Sequence, residues 1–312
     1  MQMGKTTVAI IQARAEYYDL SASMEKAISL IEEATKQGAK LISLGETWLA
    51  GYPAWLDYCP NVALWDHEPT KTVFARLHQN SITVPGKETA IFCDLAKRLG
   101  VVIVIGVNER VETGRGNGTL YNTLLTINSD GVISNHHRKL MPTYTERLVW
   151  GIGDADGLQA SETPIGRVGG LICWEHWMPL ARQAMHNSGE HIHISVWPAV
   201  KEMHQIASRH YAFEGRCFVL AGGNIMKASD LPSEFDLPDD LKSNPDKLIL
   251  NGASAIIAPD GRYITEPVFD KETIVIAEID LSEIPKAQMT LDVTGHYARH
   301  ELFDFEVKHT RK

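Results

Sequence analysis

Gly169-Gly-Leu-Ile-Cys-Trp-Glu-His-Trp-Met-Pro-Leu-Ala-Arg182 begins as a short apolar run and changes character abruptly at Cys173. The apolar part reads as a buried strand, and Pro179 with the helical pattern after it reads as the helix that follows. The stretch is therefore a βα corner with a cysteine at the carboxyl end of its strand. Open α/β sheets tend to place ligands there, and helical N–H groups nearby lower a thiol pKa. A cysteine in an apolar run also serves simply as a small buried hydrophobe, so its role turns on whether the chain supplies partners for a thiolate.

Outward from this corner the alternation recurs. Apolar runs at 8–12, 41–44 and 101–105 read as buried strands. Between them, Ser23 is followed by Met24, Ala27, Ile28, Ile31 and Ala34 as an amphipathic helix stopped near Gly38, and Ile91, Leu95 and Leu99 mark a second helix over 89–98, stopped by Gly100. A hairpin is predicted where 121–127 meets Asn128-Ser-Asp-Gly131, since Asp-Gly supplies the positive φ of a tight turn. Beyond Cys173, strands are expected at 191–197 and 218–223 around a helix over 203–214, then a hairpin through Pro259-Asp-Gly261 and a strand at 273–279. This order hints at two similar halves and predicts one α/β domain with two sheets and outer helices.

Two stretches interrupt the pattern. Gly51-Tyr52-Pro53 marks a tight bend, and the segment to about Asn80, with Trp55, Tyr58 and Trp65, reads as a pocket wall or as surface helices. The acidic, proline-rich segment 230–246, with Pro232, Pro238 and Pro245, reads as a surface excursion.

The 312 residues, 44% hydrophobic and 22% charged, are enough to bury a sizeable core. A net charge of −9 without a long Lys/Arg cluster argues against nucleic acid or an anionic membrane as partner. The four cysteines, Cys59, Cys93, Cys173 and Cys217, form no C-x-x-C pair, which argues against structural zinc or a disulfide framework and fits a reducing cytoplasm. No stretch approaches the roughly 18 apolar residues of a membrane span.

Three chemical groups stand at strand ends: Glu46 in Gly45-Glu46-Thr47, Lys139 after His136-His137-Arg138, and Cys173. A free thiol with a pKa of about 8.5 is only slightly ionised at neutral pH, so a cysteine nucleophile needs a base, a nearby cation, or both. Glu46 would take the proton, and Lys139 with the Trp174 N–H would stabilise the charge that develops on a heteroatom. A Cys–His dyad through His176 is the competing arrangement, although neighbours in a tight turn usually diverge. His191 and His193, two apart, share a face but lack a third ligand and read as structural.

Three blocks carry a resemblance to the nitrilase (carbon-nitrogen hydrolase) superfamily. They are Gly45-Glu46-Thr47 with Gly51-Tyr52-Pro53, His137-Arg138-Lys139-Leu140-Met141-Pro142-Thr143 with Glu146-Arg147-Leu148-Val149-Trp150-Gly151, and Cys173-Trp174-Glu175-His176. Trp197-Pro198, Arg209-His210-Tyr211 and Gly295-His296-Tyr297 add to it, and the start of the last block is similar to the nitrilase branch. The resemblance implies a four-layer α-β-β-α sandwich, no metal or organic cofactor, and a hydrolase domain over 1–285. The tail, 286–312, would pack at an oligomer interface, in a homodimer ahead of longer spirals. It further implies Glu46 as general base, Lys139 as stabiliser of the tetrahedral intermediate, Cys173 as nucleophile and Glu146 as the residue positioning lysine and substrate. The expected reaction takes a small organic nitrile to acid and ammonia; the same residues would also serve an amidase or a cyanide- or nitrile-hydrating relative that releases an amide, and a non-catalytic scaffold or binding member is the alternative that the intact Glu46, Lys139 and Cys173 argue against. Tyr52, Trp174, His176, Trp177, Trp197 and Pro198 are the expected substrate contacts, with His176 the residue expected to tell this substrate from those of relatives.

Overall fold

Alternation within single strands decides the layering, because successive strand residues point to opposite faces. Val8 and Ile10 fall in one buried cluster, Ala9 and Ile11 in another. A strand apolar on both faces must be covered on both, which is the requirement of a sandwich with helices outside.

The computed structural model describes residues 4–309. Its first half runs β1 (Lys5–Gln12), α1 (Leu20–Lys36), β2 (Leu41–Leu44), α2 (Trp55–Tyr58), α3 (Glu68–Gln79), α4 (Lys87–Leu99), β3 (Val102–Arg110), β4 (Leu120–Ile127) and β5 (Ile133–Arg138). The second runs β6 (Ser161–Thr163), β7 (Gly166–Ile172), α5 (Pro179–Asn187), β8 (Ile192–Trp197), α6 (Glu202–Gly215), β9 (Phe218–Gly223), β10 (Ile225–Lys227), α7 (Asp239–Lys242), β11 (Leu248–Ile257), β12 (Tyr263–Phe269), β13 (Thr273–Asp280) and α8 (Glu283–Gln288). One sheet has the order β13-β1-β2-β3-β4-β5; the other has β10-β11-β9-β8-β7-β6 with β12 beside β11. Strands β1–β2–β3 and β7–β8–β9 are parallel, so each sheet has a core of βα units.

Val8, Ile10, Leu41, Val104 and Leu124 of the first sheet meet Val168, Ile194, Val196, Phe218 and Leu220 of the second. The outer face of the first sheet, with Ala9, Ile11, Ile42 and Ile103, is covered by Ala27, Ile31 and Ala34 of α1 and Phe92, Leu95 and Ala96 of α4. That of the second, with Leu171, Val219 and Ala221, is covered by Ala184 and Met185 of α5 and Tyr211 and Ala212 of α6. The fold is the four-layer α-β-β-α sandwich expected from the sequence. Helix α1 starts where the Asp19 carboxylate accepts from the Ala22 N–H at 2.9 Å, and α4 stops where Gly100 takes φ 64°. Strand β13 returns to the first sheet, antiparallel to β1 with Ala9 opposite Ile276.

The segment 230–246 corrects the reading of a surface excursion. Leu231, Phe235 and Leu241 are buried with Trp55, Val73 and Leu77, and Phe235 stacks on Trp55 at 5.3 Å. Its prolines and acids flank three inward-facing apolar residues, and so few are masked by the local composition. Trp65 is 97% exposed, as a surface reading of its segment requires. From the tail, Phe305 and Val307 pack against the cluster under α5 and α6, while Leu302 and Phe303 are exposed. Among the described residues no helix is long and apolar enough to cross a membrane.

Candidate active site

The carboxyl ends of β2, β5 and β7 converge on one spot. Glu46 follows β2 by two residues, Lys139 follows β5 directly, and Cys173 follows β7 directly. Cys173 has φ 54°, a left-handed conformation that costs a non-glycine residue of order 1–3 kcal/mol and persists only where the surroundings impose it.

Lys139 is buried at the centre. Its ammonium donates to Glu46 Oε1 at 3.0 Å and to Glu146 Oε1 and Oε2 at 3.0 and 2.7 Å. Glu146 also accepts from the Tyr52 hydroxyl at 2.9 Å and from the Thr143 N–H at 2.6 Å. Glu46 Oε1 accepts from the Asn122 amide at 2.7 Å, while its buried Oε2 has no hydrogen-bond partner among the described residues. Carboxylate oxygens of Glu46 and Glu146 and the Cys173 sulfur all lie within 4.8 Å of one another. Two oxygens and a thiol so placed form the one group among the described residues with the reach to hold a metal ion. The Lys139 ammonium already donates to both carboxylates, however, and is the cation they share.

Burial pushes the Glu46 carboxyl up; Lys139 opposes that, Glu146 adds to it, and the result is about 7. Burial also pushes the Cys173 thiol up, as does Glu46, against the Lys139 cation and a hydrogen bond from the Trp174 N–H. Burial alone would lower the Lys139 pKa, but the neighbouring Glu46, Cys173 and Glu146 hold it above the usual lysine value. The arrangement holds a neutral thiol beside a half-ionised carboxylate and a fixed cation. Such a set is suited to passing a proton between thiol and carboxylate rather than to storing a free thiolate.

A cavity of ≈ 520 Å³ opens onto Cys173. Tyr52, Glu146, Trp174 and Pro198 line it, with Tyr58 from the segment read as a pocket wall or surface helices, joined by Asp57, Tyr144, Lys201 and His204, which the sequence reading did not single out. Burial, with Lys201 adding, lowers His204 to about 4, so its ring is neutral at pH 7. Three expected contacts do not line the cavity. Trp197 is fully buried, Trp177 packs against the inter-sheet core, and His176 is buried beneath the corner, stacked on Trp197 at 4.7 Å. The turn after Cys173 carries Trp174 to the cavity and His176 away from it.

The corner is held by residues that motif reading passed over. Glu175 accepts from the Leu140 N–H at 2.7 Å, the Ile172 N–H at 2.7 Å and His137 Nε2 at 2.8 Å, which ties the end of β5 to the end of β7. Burial alone would raise the Glu175 carboxyl, but His137 and these N–H groups hold it below the usual range. Asn224 donates to the Glu46 carbonyl at 2.9 Å. The available signal was a charged or amide side chain inside an otherwise apolar element.

The profile of the carbon-nitrogen hydrolase family matches residues 7–288. A protein named Nitrilase 2, from an unknown prokaryotic organism, is 39% identical over 100% of this chain and 95% of its own. An aliphatic nitrilase of Sinorhizobium fredii (strain HH103) is 37% identical over 98% and 96%, and a bifunctional nitrilase/nitrile hydratase of Nicotiana tabacum 35% over 96% and 85%. A carbon-nitrogen hydrolase crystal structure from Helicobacter pylori G27 shares the fold, with a TM-score of 0.73 at 20% identity over 97% of this chain and 100% of that one. The chain belongs to the carbon-nitrogen hydrolase family, among relatives named as nitrilases, and is a hydrolase acting on carbon–nitrogen bonds.

Proposed function

We propose that this enzyme hydrolyses a small organic nitrile to its carboxylic acid and ammonia. The observation that carries the reading is the buried Cys173 thiol in the lining of a cavity, within reach of Glu46 and beside the Lys139 cation. A cavity of ≈ 520 Å³ falls in the range used for small ligands.

The sulfur bonds to the nitrile carbon as one C–N π bond opens, and the thiol proton passes through Glu46 to the nitrogen, giving a thioimidate. Water deprotonated by Glu46 adds to that carbon. Glu46 passes that proton to the nitrogen, then relays the proton of the new hydroxyl as the C–N bond breaks, so that ammonia departs with both protons of the water and a thioester remains. A second water releases the acid and restores the thiol. Lys139 and the Trp174 N–H stabilise the charge on the substrate heteroatom, and Glu146 holds Lys139 and the substrate in place. Tyr52, Trp174 and Pro198 are the proposed walls. Loss of sulfur in place of ammonia from the first tetrahedral intermediate would release the amide. The name of the tobacco relative makes that the product to look for beside the acid.

Ammonia and amide are measured together from a panel of aliphatic, arylaliphatic and aromatic nitriles. Ammonia with acid, abolished in Cys173→Ala, supports the reading. Amide alone, or activity surviving Cys173→Ala, contradicts it. Assembly through residues 286–312, of which 310–312 lie outside the described residues, is part of the same proposal. Sedimentation of the chain ending at residue 285 against the whole would then show a dimer becoming a monomer.

A further inference from the structure

Beneath Cys173, on the side away from the cavity, lies a chain of buried titratable groups that the reaction above does not use. His176 Nδ1 meets the Cys173 carbonyl oxygen at 2.7 Å, His176 Nε2 meets His193 Nε2 at 3.0 Å, and His193 Nδ1 meets Glu190 Oε2 at 2.8 Å. The Tyr211 hydroxyl donates to the other oxygen of Glu190. His176, His193, Glu190 and Tyr211 are all buried.

Donor accounting fixes the protons. A carbonyl oxygen only accepts, so His176 Nδ1 carries a hydrogen. Of the two facing rings only His193 also touches a carboxylate, so the shared proton sits on His193 Nε2 and His176 offers it a lone pair at Nε2. Glu190, which already accepts from Tyr211, offers its second oxygen to His193 Nδ1, which donates as well. A histidine that donates from both nitrogens is an imidazolium. We infer that His193 is a doubly protonated positioning residue, whose pairing with Glu190 orients His176 and through it pins the left-handed turn of Cys173.

Three further observations agree. The Tyr211 ring lies flat on the His193 ring at 3.7 Å, the geometry in which an aromatic face stabilises a cation. Gly169 stands opposite His193 in the parallel register, and a Cβ there would clash with Glu190 Oε2, so the glycine makes room for the carboxylate. Burial would raise the Glu190 carboxyl, but His193 and His186 hold it down at about 2, and burial with the facing His193 keeps His176 well below its usual value. The other charged and titratable groups around the pair are His186 and Arg182 of α5, Glu214 and His210 of α6, and Cys217 before β9. Glu214 takes up Arg182 and His186, which leaves Glu190 to His193.

The test uses the full chain with ¹⁵N-labelled histidine, read by long-range ¹H–¹⁵N correlation at about pH 8, above the ordinary histidine pKa of about 6.5. One ring, missing in His193→Gln, is expected to carry protons on both nitrogens. It should lose one in Glu190→Gln, whose carboxamide can turn its NH₂ toward His193 and keep the hydrogen-bond chain intact without the charge. His193→Leu breaks the chain. Since none of these residues lines the cavity, it should lower kcat and the rate of Cys173 alkylation by iodoacetamide about 10- to 100-fold, with KM little changed. A singly protonated His193 in the unmodified protein overturns the inference, and so does His193→Leu that folds and alkylates at the original rate. The effect on kcat rests on the nitrile reading, but proton state and alkylation do not. A doubly protonated ring in a chain without nitrile turnover would sink that reading and leave the positioning pair standing.

Discussion

Glu46 carries two opposite consequences of one burial. Its carboxyl, at about 7 in the folded chain, lies above the ordinary 4.5, so between those values the native state binds more protons than the unfolded one. The stability it contributes is fully present below about 4.5 and is lost as pH rises through about 7. In Glu46→Gln, which does not titrate, that pH dependence should disappear. Denaturant unfolding at about pH 5 and about pH 8 would show the wild type losing stability relative to the variant across the interval. Turnover runs the other way under the proposed mechanism, in which the ionised Glu46 is the base: kcat should rise with pH through about 7 and fall about 10²- to 10⁴-fold in the variant. Lys139→Met should be both inactive and about 3–5 kcal/mol less stable, since it leaves two buried carboxylates without their cation. Glu46, Lys139 and Cys173 were legible because each is a polar or reactive residue ending an apolar strand. His176 was misread because its direction is set by a turn too short for periodicity, and its partner His193 arrives from a strand 17 residues away.

At the level of elements, the active-site turns are shaped by what their neighbours lack. Gly106 on β3 faces the turn that carries Glu46, and a Cβ there would run into the Gly45 carbonyl and the Thr47 N–H. Gly106→Ala should therefore cost about 1–3 kcal/mol and, by displacing Glu46, lower kcat further than a comparably destabilising change elsewhere. Thermal melts and steady-state rates on the same preparation separate the two effects. The βα units and both hairpins could be read from sequence because their apolar periods are strong and their turns carry Asp-Gly. Helix α3 could not, since Val73 and Leu77 are its only buried residues and two positions define no period. The buried Leu231, Phe235 and Leu241 were hidden for the same reason, being few and set among prolines and acids.

Across the whole molecule, the contact between the sheets is apolar and reaches the cavity at Cys173. Leu220 belongs to that contact but does not line the cavity, so Leu220→Ala should cost about 2–5 kcal/mol by denaturant unfolding while leaving KM unchanged. Two sheets with outer helices were legible from the βα alternation, whereas the four-layer order came through the family resemblance, since a strand apolar on both faces, as β1 is, also fits a three-layer packing. Which sheet β13 joins was not, since an apolar strand at the end of the chain fits either edge. The proposed chemistry rests on three strand ends from two sheets meeting at one corner, a long-range arrangement that motif order points to and only the packing displays.

The central claim is that Cys173 forms a covalent intermediate during nitrile hydrolysis. Rapid acid quench of the enzyme turning over a nitrile, followed by digestion and peptide mass spectrometry, tests it directly. The account predicts the thioimidate or thioester of the substrate on Cys173, absent when Glu46→Gln is treated in the same way. Continuing ammonia release with an unmodified Cys173, or an adduct confined to Cys59, Cys93 or Cys217, would contradict it.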